Sequence, residues 1–240
     1  MSEWFESWFG EEYAALYPHR DDSEAARAVT LIATNLGSRP VNRVLDLACG
    51  SGRHARYLGA RWWTSGVDLS EVMLRMAKRG DVPARLVRAD IRELPYRDAS
   101  FDLVVNLFTS FGYFETDAEH EKVMCDVWRL TKPGGTFVLD FFNVAEIKRN
   151  LEPYDDDASI KGGKVVQRRE ITADGRFVVK HISIRAEGKE FVERVRLFTR
   201  DELVAMLGRA GFSVEANYGD YGGEPFTDTS PRVILFARHA

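Results

Sequence analysis

Val44-Leu45-Asp46-Leu47-Ala48-Cys49-Gly50-Ser51-Gly52-Arg53-His54 joins an apolar strand to a glycine turn and the start of a helix. Asp46 stands near the strand end, Gly50 and Gly52 open the turn, and a helix can begin near Arg53. Glycine permits the backbone such a turn needs, and the free amide hydrogens at the helix start face whatever lies against it. Gly66-Val67-Asp68-Leu69-Ser70 and Ala89-Asp90-Ile91 each add another acidic residue at a strand end. Three such residues in succession describe a site for a long ligand with a hydroxylated sugar in its middle.

Outward from this turn, strands and helices alternate. Residues 41–47, 64–67, 84–87, 101–107 and 136–141 read as buried parallel strands, with helices starting near Arg53, Ser70 and Thr116. Thr116-x-x-Glu119 is a capping box, and Lys132-Pro133-Gly134-Gly135 ends that helix. Thr199-x-x-Glu202 caps a later helix bearing Leu203, Met206 and Leu207, which Gly211 stops; residues 212–216 and 233–237 supply two last strands. The alternation predicts an α/β, doubly wound sheet with right-handed crossovers.

Two regions break the rhythm. Residues 150–198 hold turn signals at Asp174-Gly175 and Glu187-Gly188 between three alternating runs, which predicts an inserted antiparallel meander with one covered face. Residues 1–37 are expected to form an N-terminal helical lid or cap over the cleft, the alternative being ordinary helices packed on the sheet. Trp4, Phe5, Trp8, Phe9, Tyr13 and Tyr17, interleaved with glutamates, fit one or two short amphipathic helices. Asp22 or Ser23 then caps a helix stopped by Gly37. The main domain is assigned residues 38–149 and 199–240.

A chain of 240 residues can bury a sizeable core. A net charge of −4 without a basic run argues against a duplex nucleic-acid partner. Cys49 and Cys125 lack metal-ligand spacing, so no metal site is expected, and two thiols in this length suggest a reducing compartment. No apolar run reaches membrane-spanning length and the start lacks a secretory pattern, which predicts a cytoplasmic protein without a membrane partner, as monomer or homodimer.

Taken together, the acidic strand ends and the glycine loop resemble the class I S-adenosylmethionine-dependent methyltransferases. The resemblance covers residues 35 to 145 and 199 to 238, and implies a seven-stranded, mostly parallel Rossmann-like sheet whose last strand runs antiparallel. It further implies S-adenosylmethionine as cofactor. Asp46, Ala48, Gly50 and Gly52 would pack against the amino acid part of the cofactor. Asp68 would hold the ribose hydroxyls, with Leu69 and Met73 as neighbouring contacts, and Asp90 with Ile91 would flank the adenine. Ala48 departs from the family, which often has glycine there; alanine is small enough for binding to survive.

Asn106 to Phe114 ends the fourth strand, where open sheets place their chemistry. It lacks the paired prolines found at this position in DNA and protein amide methylating relatives. Asn106 and Phe108 are cofactor candidates, and ring faces here can attract a sulfonium. Either Phe108 or Phe111 is expected in the cleft, the alternative being that both fill the core. Tyr13 and Arg20 are candidates from the N-terminal segment, Arg20 as partner of the cofactor carboxylate. Tyr17, Phe111, Tyr113, Tyr221 and Arg232 are substrate candidates. His19 and His181 are the histidines considered as bases, and no catalytic residue is assigned.

Gly50-x-Gly52-x-x-Ala55 also satisfies the looser dinucleotide-binding fingerprint. Asp46, four residues before the first glycine, would bring negative charge against a pyrophosphate. About forty residues also precede the first strand, and the closing strand pair replaces a second βαβαβ half. The expected activity is methyl transfer to a small-molecule acceptor, with nitrogen favoured over oxygen because no base stands out. An NAD-dependent oxidoreductase and a non-catalytic S-adenosylmethionine-binding module are the alternatives.

Overall fold

Strand and helix begin to alternate at residue 43, with breaks between residues 88 and 101, in the run of strands from 154 to 196 and between the last two strands, in the computed structural model, which describes residues 3–17, 22–156, 158–160 and 163–240. Helices α1 (Trp4–Trp8), α2 (Glu11–Leu16) and α3 (Asp22–Leu36) come first. They lead into β1 (Arg43–Leu47), α4 (Arg53–Gly59), β2 (Trp63–Asp68), α5 (Glu71–Arg79), β3 (Arg85–Arg88), β4 (Phe101–Asn106), α6 (Asp117–Leu130) and β5 (Thr131–Phe142). Helix α7 (Val144–Asn150) opens the insertion of β6 (Tyr154–Asp155), β7 (Ser159–Ile160), β8 (Gly163–Ile171), β9 (Phe177–Ile184) and β10 (Lys189–Arg196). Helix α8 (Arg200–Ala210), β11 (Phe212–Tyr218) and β12 (Arg232–His239) close the chain.

The main sheet runs β11-β12-β5-β4-β1-β2-β3. Strand β12 is antiparallel to both β5 and β11, and the pairs from β5 to β3 are parallel. This is the seven-stranded, mostly parallel Rossmann-like sheet with an antiparallel last strand that the resemblance implies. Chain direction across the sheet reverses at β1, which lies between β4 and β2, so a crevice opens beyond the carboxyl ends of β1 and β4.

Both sheet faces are covered, which is why the central strands are mostly apolar, with Asp46, Asn106 and Asp140 as buried exceptions near their carboxyl ends. Leu45, Val104 and Leu139 pack toward α6 and α8 with Val127 and Leu203, while Val44, Leu103, Val105 and Val138 pack toward α3 and α4 with Ile32, Leu36 and Leu58. Thr116 and Thr199 form the expected capping boxes, and Gly211 closes α8 in the left-handed region.

Strand β5 begins five residues before its expected start. Thr131 pairs with Phe101 and Thr136 with Leu103, so Lys132-Pro133-Gly134-Gly135 forms an irregularity within the strand. Lys132 Nζ anchors it on Asp102 at 2.7 Å. The meander sheet is ordered β10-β9-β8-β6, with β7 paired to β8. Its burial is not confined to one face: Ile182 and Ile184 are buried on one side, and Phe177 and Val179, of opposite parity, on the other. Arg194 supplies part of that second cover, its guanidinium 3.6 Å from the Phe177 ring centre. No helix among the described residues is long and apolar enough to cross a membrane.

Candidate functional site

A cavity of about 1420 Å³ lies beyond the carboxyl ends of β1, β2 and β4, walled by the glycine loop, α5, the segment after β4, the meander and the N-terminal helices. The two loop glycines serve different ends. Gly50 has φ +55°, lines the cavity, and a Cβ there would meet nothing within 4 Å. Gly52 has φ +81° and does not line the cavity; a Cβ there would lie 2.8 Å from Val82 Cγ2 and 3.2 Å from Ala77 Cβ. Close packing of the loop on the end of α5 therefore demands that glycine. Ala48 also sits in the left-handed region, at φ 56°, which costs a residue with a Cβ about 1–2 kcal/mol.

Asp68 ties two strand ends together. Its carboxylate accepts the Gly50 backbone N–H at 2.7 Å and the Ser70 N–H at 2.8 Å, and it lines the cavity. Burial raises its pKa, with these N–H groups acting in the opposite direction. Asp46 lies one layer deeper, 2% exposed, and its Oδ2 has no hydrogen-bond partner among the described residues. Burial, and then the charge of Asp68, push its pKa up to about 8.

Asp90 lines the cavity beside Ile91 with its carboxylate engaged by Arg92, at 2.6 Å from Nη2. The Arg92 hydrogen bonds outweigh burial and hold the Asp90 pKa below its ordinary value. The same guanidinium reaches Glu3 at 2.6 Å and Glu119 at 2.9 Å, fastening the N-terminal segment to the end of β3.

After β4 the backbone is left-handed at two consecutive non-glycine residues, Phe108 and Thr109, each at φ 60°. For bulky or β-branched residues this conformation is uncommon and is held by its surroundings. Asp140, fully buried on β5, supplies the restraint: its carboxylate accepts the Phe108 N–H at 2.7 Å and its carbonyl accepts the Thr109 N–H at 3.0 Å. Arg232 and the Tyr221 hydroxyl also hydrogen-bond Asp140. Arg53 lies over the Phe108 ring at 4.4 Å.

The N-terminal helices form the remaining wall. Ser70 Oγ donates to the Phe9 carbonyl at 2.5 Å, Trp4 Nε1 to the Tyr113 carbonyl at 3.3 Å, and Trp8 Nε1 to Glu193 at 2.6 Å. Phe9 meets Tyr13 and Tyr113 at ring-centre distances of 4.8 and 5.5 Å.

Of the residues singled out from sequence, Tyr13, Tyr17, Ala48, Gly50, Asp68, Leu69, Met73, Asp90, Ile91, Phe108, Tyr113 and Arg232 line the cavity. Asp46, Gly52, Asn106, Phe111 and Tyr221 stand behind it. Asn106 is fully buried and its amide binds the carbonyls of Leu47 and Ser110, so it braces the wall. Phe111 is 1% exposed and stacks on Phe198, a core position in place of the expected substrate contact. Tyr221 reaches the site through Asp140 and through Arg232, whose guanidinium lies 5.4 Å from its ring centre. His181 is exposed beside Glu170, away from the cavity, and His19 and Arg20 lie outside the described residues. Sequence reasoning missed Arg53, Arg169, Lys180 and Glu193, all of which line the cavity. For the last three the only signal was alternation in the meander, which does not reveal which neighbours share a row.

Comparison with known proteins agrees with this geometry. The family described as a methyltransferase domain matches residues 44–135. The cypemycin N-terminal methyltransferase of a Streptomyces species is 29% identical over 219 residues, covering 85% of this chain and 87% of its own. An amino pentose methyltransferase from Micromonospora echinaspora, solved with S-adenosylmethionine bound, superposes with TM-score 0.70 at 26% identity over 96% of this chain and 97% of its own. The CcbJ methyltransferase of Streptomyces caelestis superposes with TM-score 0.80 at 21% identity over 98% of this chain and 99% of its own, a likeness of fold.

Proposed function

We propose that this chain, which belongs to the class I S-adenosylmethionine-dependent methyltransferases and uses that cofactor, transfers the methyl group to nitrogen on a small-molecule acceptor. The family match sets aside the NAD-dependent alternative. The observation that carries the acceptor reading is the size and lining of the cavity. At about 1420 Å³ it exceeds the roughly 300–1,000 Å³ that holds one drug-sized ligand, leaving room for an acceptor beside the cofactor.

The residues present suit the cofactor. Ionised Asp68 accepts only, and its two oxygens offer about four lone-pair sites, more than its N–H partners at Gly50 and Ser70 fill; ribose hydroxyls can donate to the rest. The orphaned Asp46 Oδ2 beneath the glycine loop suits a ligand with a cationic amino acid end, because positive charge offsets the cost of a buried carboxylate. S-adenosylmethionine, when bound, supplies an electrophilic methyl group on a positively charged sulfur. Tyr113, Phe9 and Tyr13 contribute ring faces attractive to positive charge, and residues 4–17 help exclude water. The protein's part is to orient the two reactants, since a displacement at an already activated carbon asks for alignment above all.

Nitrogen is favoured over oxygen on two grounds. An amine needs only to arrive neutral, whereas a hydroxyl calls for a positioned base, and Glu193 is already engaged by Trp8 and Lys180. Two of the relatives are also named for an N-terminal and an amino pentose reaction, which supports the same direction. Calorimetry with S-adenosylhomocysteine, followed by labelled methyl transfer into a metabolite extract, tests the reading. The expected result is tight binding and label on amines. Binding without transfer would favour a non-catalytic module, and label recovered as ethers or esters would overturn the choice of nitrogen.

A further inference from the structure

Strand register divides the meander face that meets the cavity into rows. Arg169 on β8 stands beside Lys180 on β9, and Lys180 beside Glu193 on β10. The next row holds Ile171, Val178 and Val195; on the other side come Gln167, Ile182 and Phe191, then Val165, Ile184 and Lys189. Trp8 and Leu16 of the N-terminal helices pack with Val165, Ile182 and Ile184. One end of the face is thus sealed. The charged row and the aliphatic row remain in the cavity wall, through Arg169, Lys180, Glu193, Val178 and Val195.

Resting on the methyl-transfer reading above, we infer that Arg169 and Lys180 form an anion subsite, and that the acceptor carries a carboxylate or phosphate in addition to the atom methylated. Residues directly opposite on neighbouring strands have Cβ atoms about 4.5–5.5 Å apart, and like charges so placed repel. The protein draws its own counter-charges to the flanks. Asp155, on the edge strand β6, meets Arg169 Nη2 at 3.2 Å without lining the cavity, and Glu193 meets Lys180 Nζ at 2.5 Å while also accepting the Trp8 indole N–H. Lys180 further donates to the Tyr17 hydroxyl at 2.7 Å, so its ammonium is held in place. Two cations are left side by side in the middle of the row, their side chains 22% and 19% exposed. Arg169 gives three of its five N–H groups to Asp155, to Gln167 Oε1 at 3.2 Å and to the Glu152 carbonyl at 3.4 Å; the rest, with the fixed ammonium beside them, can meet the oxygens of a carboxylate or phosphate. The adjoining aliphatic row, with Ile147 and Leu151 of α7 and its exit, suits an apolar acceptor body.

Protein saturated with S-adenosylhomocysteine is titrated calorimetrically with phenyl phosphate, benzoate and benzyl alcohol. The ring is common to all three, so the first two separate phosphate from carboxylate and the third is the neutral control. At least one anion is expected to bind tenfold or more tightly than the alcohol. Arg169→Gln and Lys180→Gln should each reduce that preference at least fivefold, and Arg169→Lys should retain most of it. S-adenosylhomocysteine affinity should be unchanged in all three variants, which separates failure of the subsite from failure of the cofactor reading. Equal binding of the three probes, or a preference that survives both glutamine variants, would overturn the assignment and leave Arg169 and Lys180 as structural ion-pair partners. Should one glutamine variant fail to fold by circular dichroism, the other together with Arg169→Lys still decides the matter.

Discussion

Asp140, wholly buried on β5, accepts the backbone N–H of Phe108 at 2.7 Å, and so fixes the left-handed turn that follows β4 from 32 residues away. The same carboxylate holds Arg232, whose side chain is 15% exposed. Removing one partner of such a buried pair costs about 3–5 kcal/mol, because the other charge is stranded. Asp140→Ala is therefore expected to lower the urea unfolding free energy by that order, and Asp140→Ala combined with Arg232→Met to recover part of it. A loss below about 1 kcal/mol would contradict this role for the pair.

Gly52 and Gly50 should respond differently to alanine. Gly52→Ala sets a Cβ against Val82 and adds left-handed strain, so a loss of about 2–3 kcal/mol is expected, partly relieved by Val82→Ala. Gly50→Ala meets no protein atom, and its chief effect is expected on S-adenosylhomocysteine affinity, with stability lowered by only about 1 kcal/mol. Thermal unfolding and calorimetry on both variants separate the two; equal profiles would show the distinction to be wrong.

Ala48→Gly relieves a left-handed residue, at φ 56°, and brings greater chain entropy in the unfolded state. The terms are similar in size, so stability should lie within about 1 kcal/mol of the parent, on the favourable side. A drop larger than that in chemical denaturation would mean the Ala48 methyl packs productively.

His120 couples stability to pH. It is fully buried among Phe111, Phe114 and Phe198, its Nε2 accepts the Phe114 N–H at 3.3 Å, and its Nδ1 lies 2.8 Å from the Thr116 carbonyl, which assigns the neutral ring. Burial pushes its pKa down to about 4. A depressed value means that the unfolded chain takes up the proton first, near pH 6.5. Its contribution is present above about pH 6.5 and fades as pH falls toward 4, by at most about 3 kcal/mol. Denaturation curves across that window should show the decline, and His120→Gln should flatten it. A parent stability that does not change between those limits would contradict the assignment.

Asp68→Ala is expected to weaken S-adenosylhomocysteine binding at least tenfold, about 1.4 kcal/mol. Unchanged affinity in a folded variant would remove the ribose assignment.

What the chain disclosed in advance was local. The Thr116 and Thr199 capping boxes, the Gly211 stop and the glycine loop are signals carried within a few residues, and each stands where the spacing put it. Lys132 to Gly135 read as the end of α6 and instead form an irregularity inside β5, because Lys132 finds Asp102 across the strands. Phe108 and Thr109 gave no hint of left-handed backbone, since neither residue type favours it and the restraint comes from Asp140. Arg169, Lys180 and Glu193 share a row only once three strands have taken their register, and alternation alone does not record that. Asn106 and Phe111 show the converse: proximity to a strand end places a residue near a site without settling whether its side chain faces it.

The bond between Trp8 and Glu193 spans 185 positions, and the helices on its near side have only five and six residues. Segments this short do not persist as helices in water without a surface to dock on. During synthesis the docking of these two helices therefore cannot be completed until β10 has left the ribosome, and a nascent chain halted before that strand would lack its finished chamber even with the glycine loop already exposed.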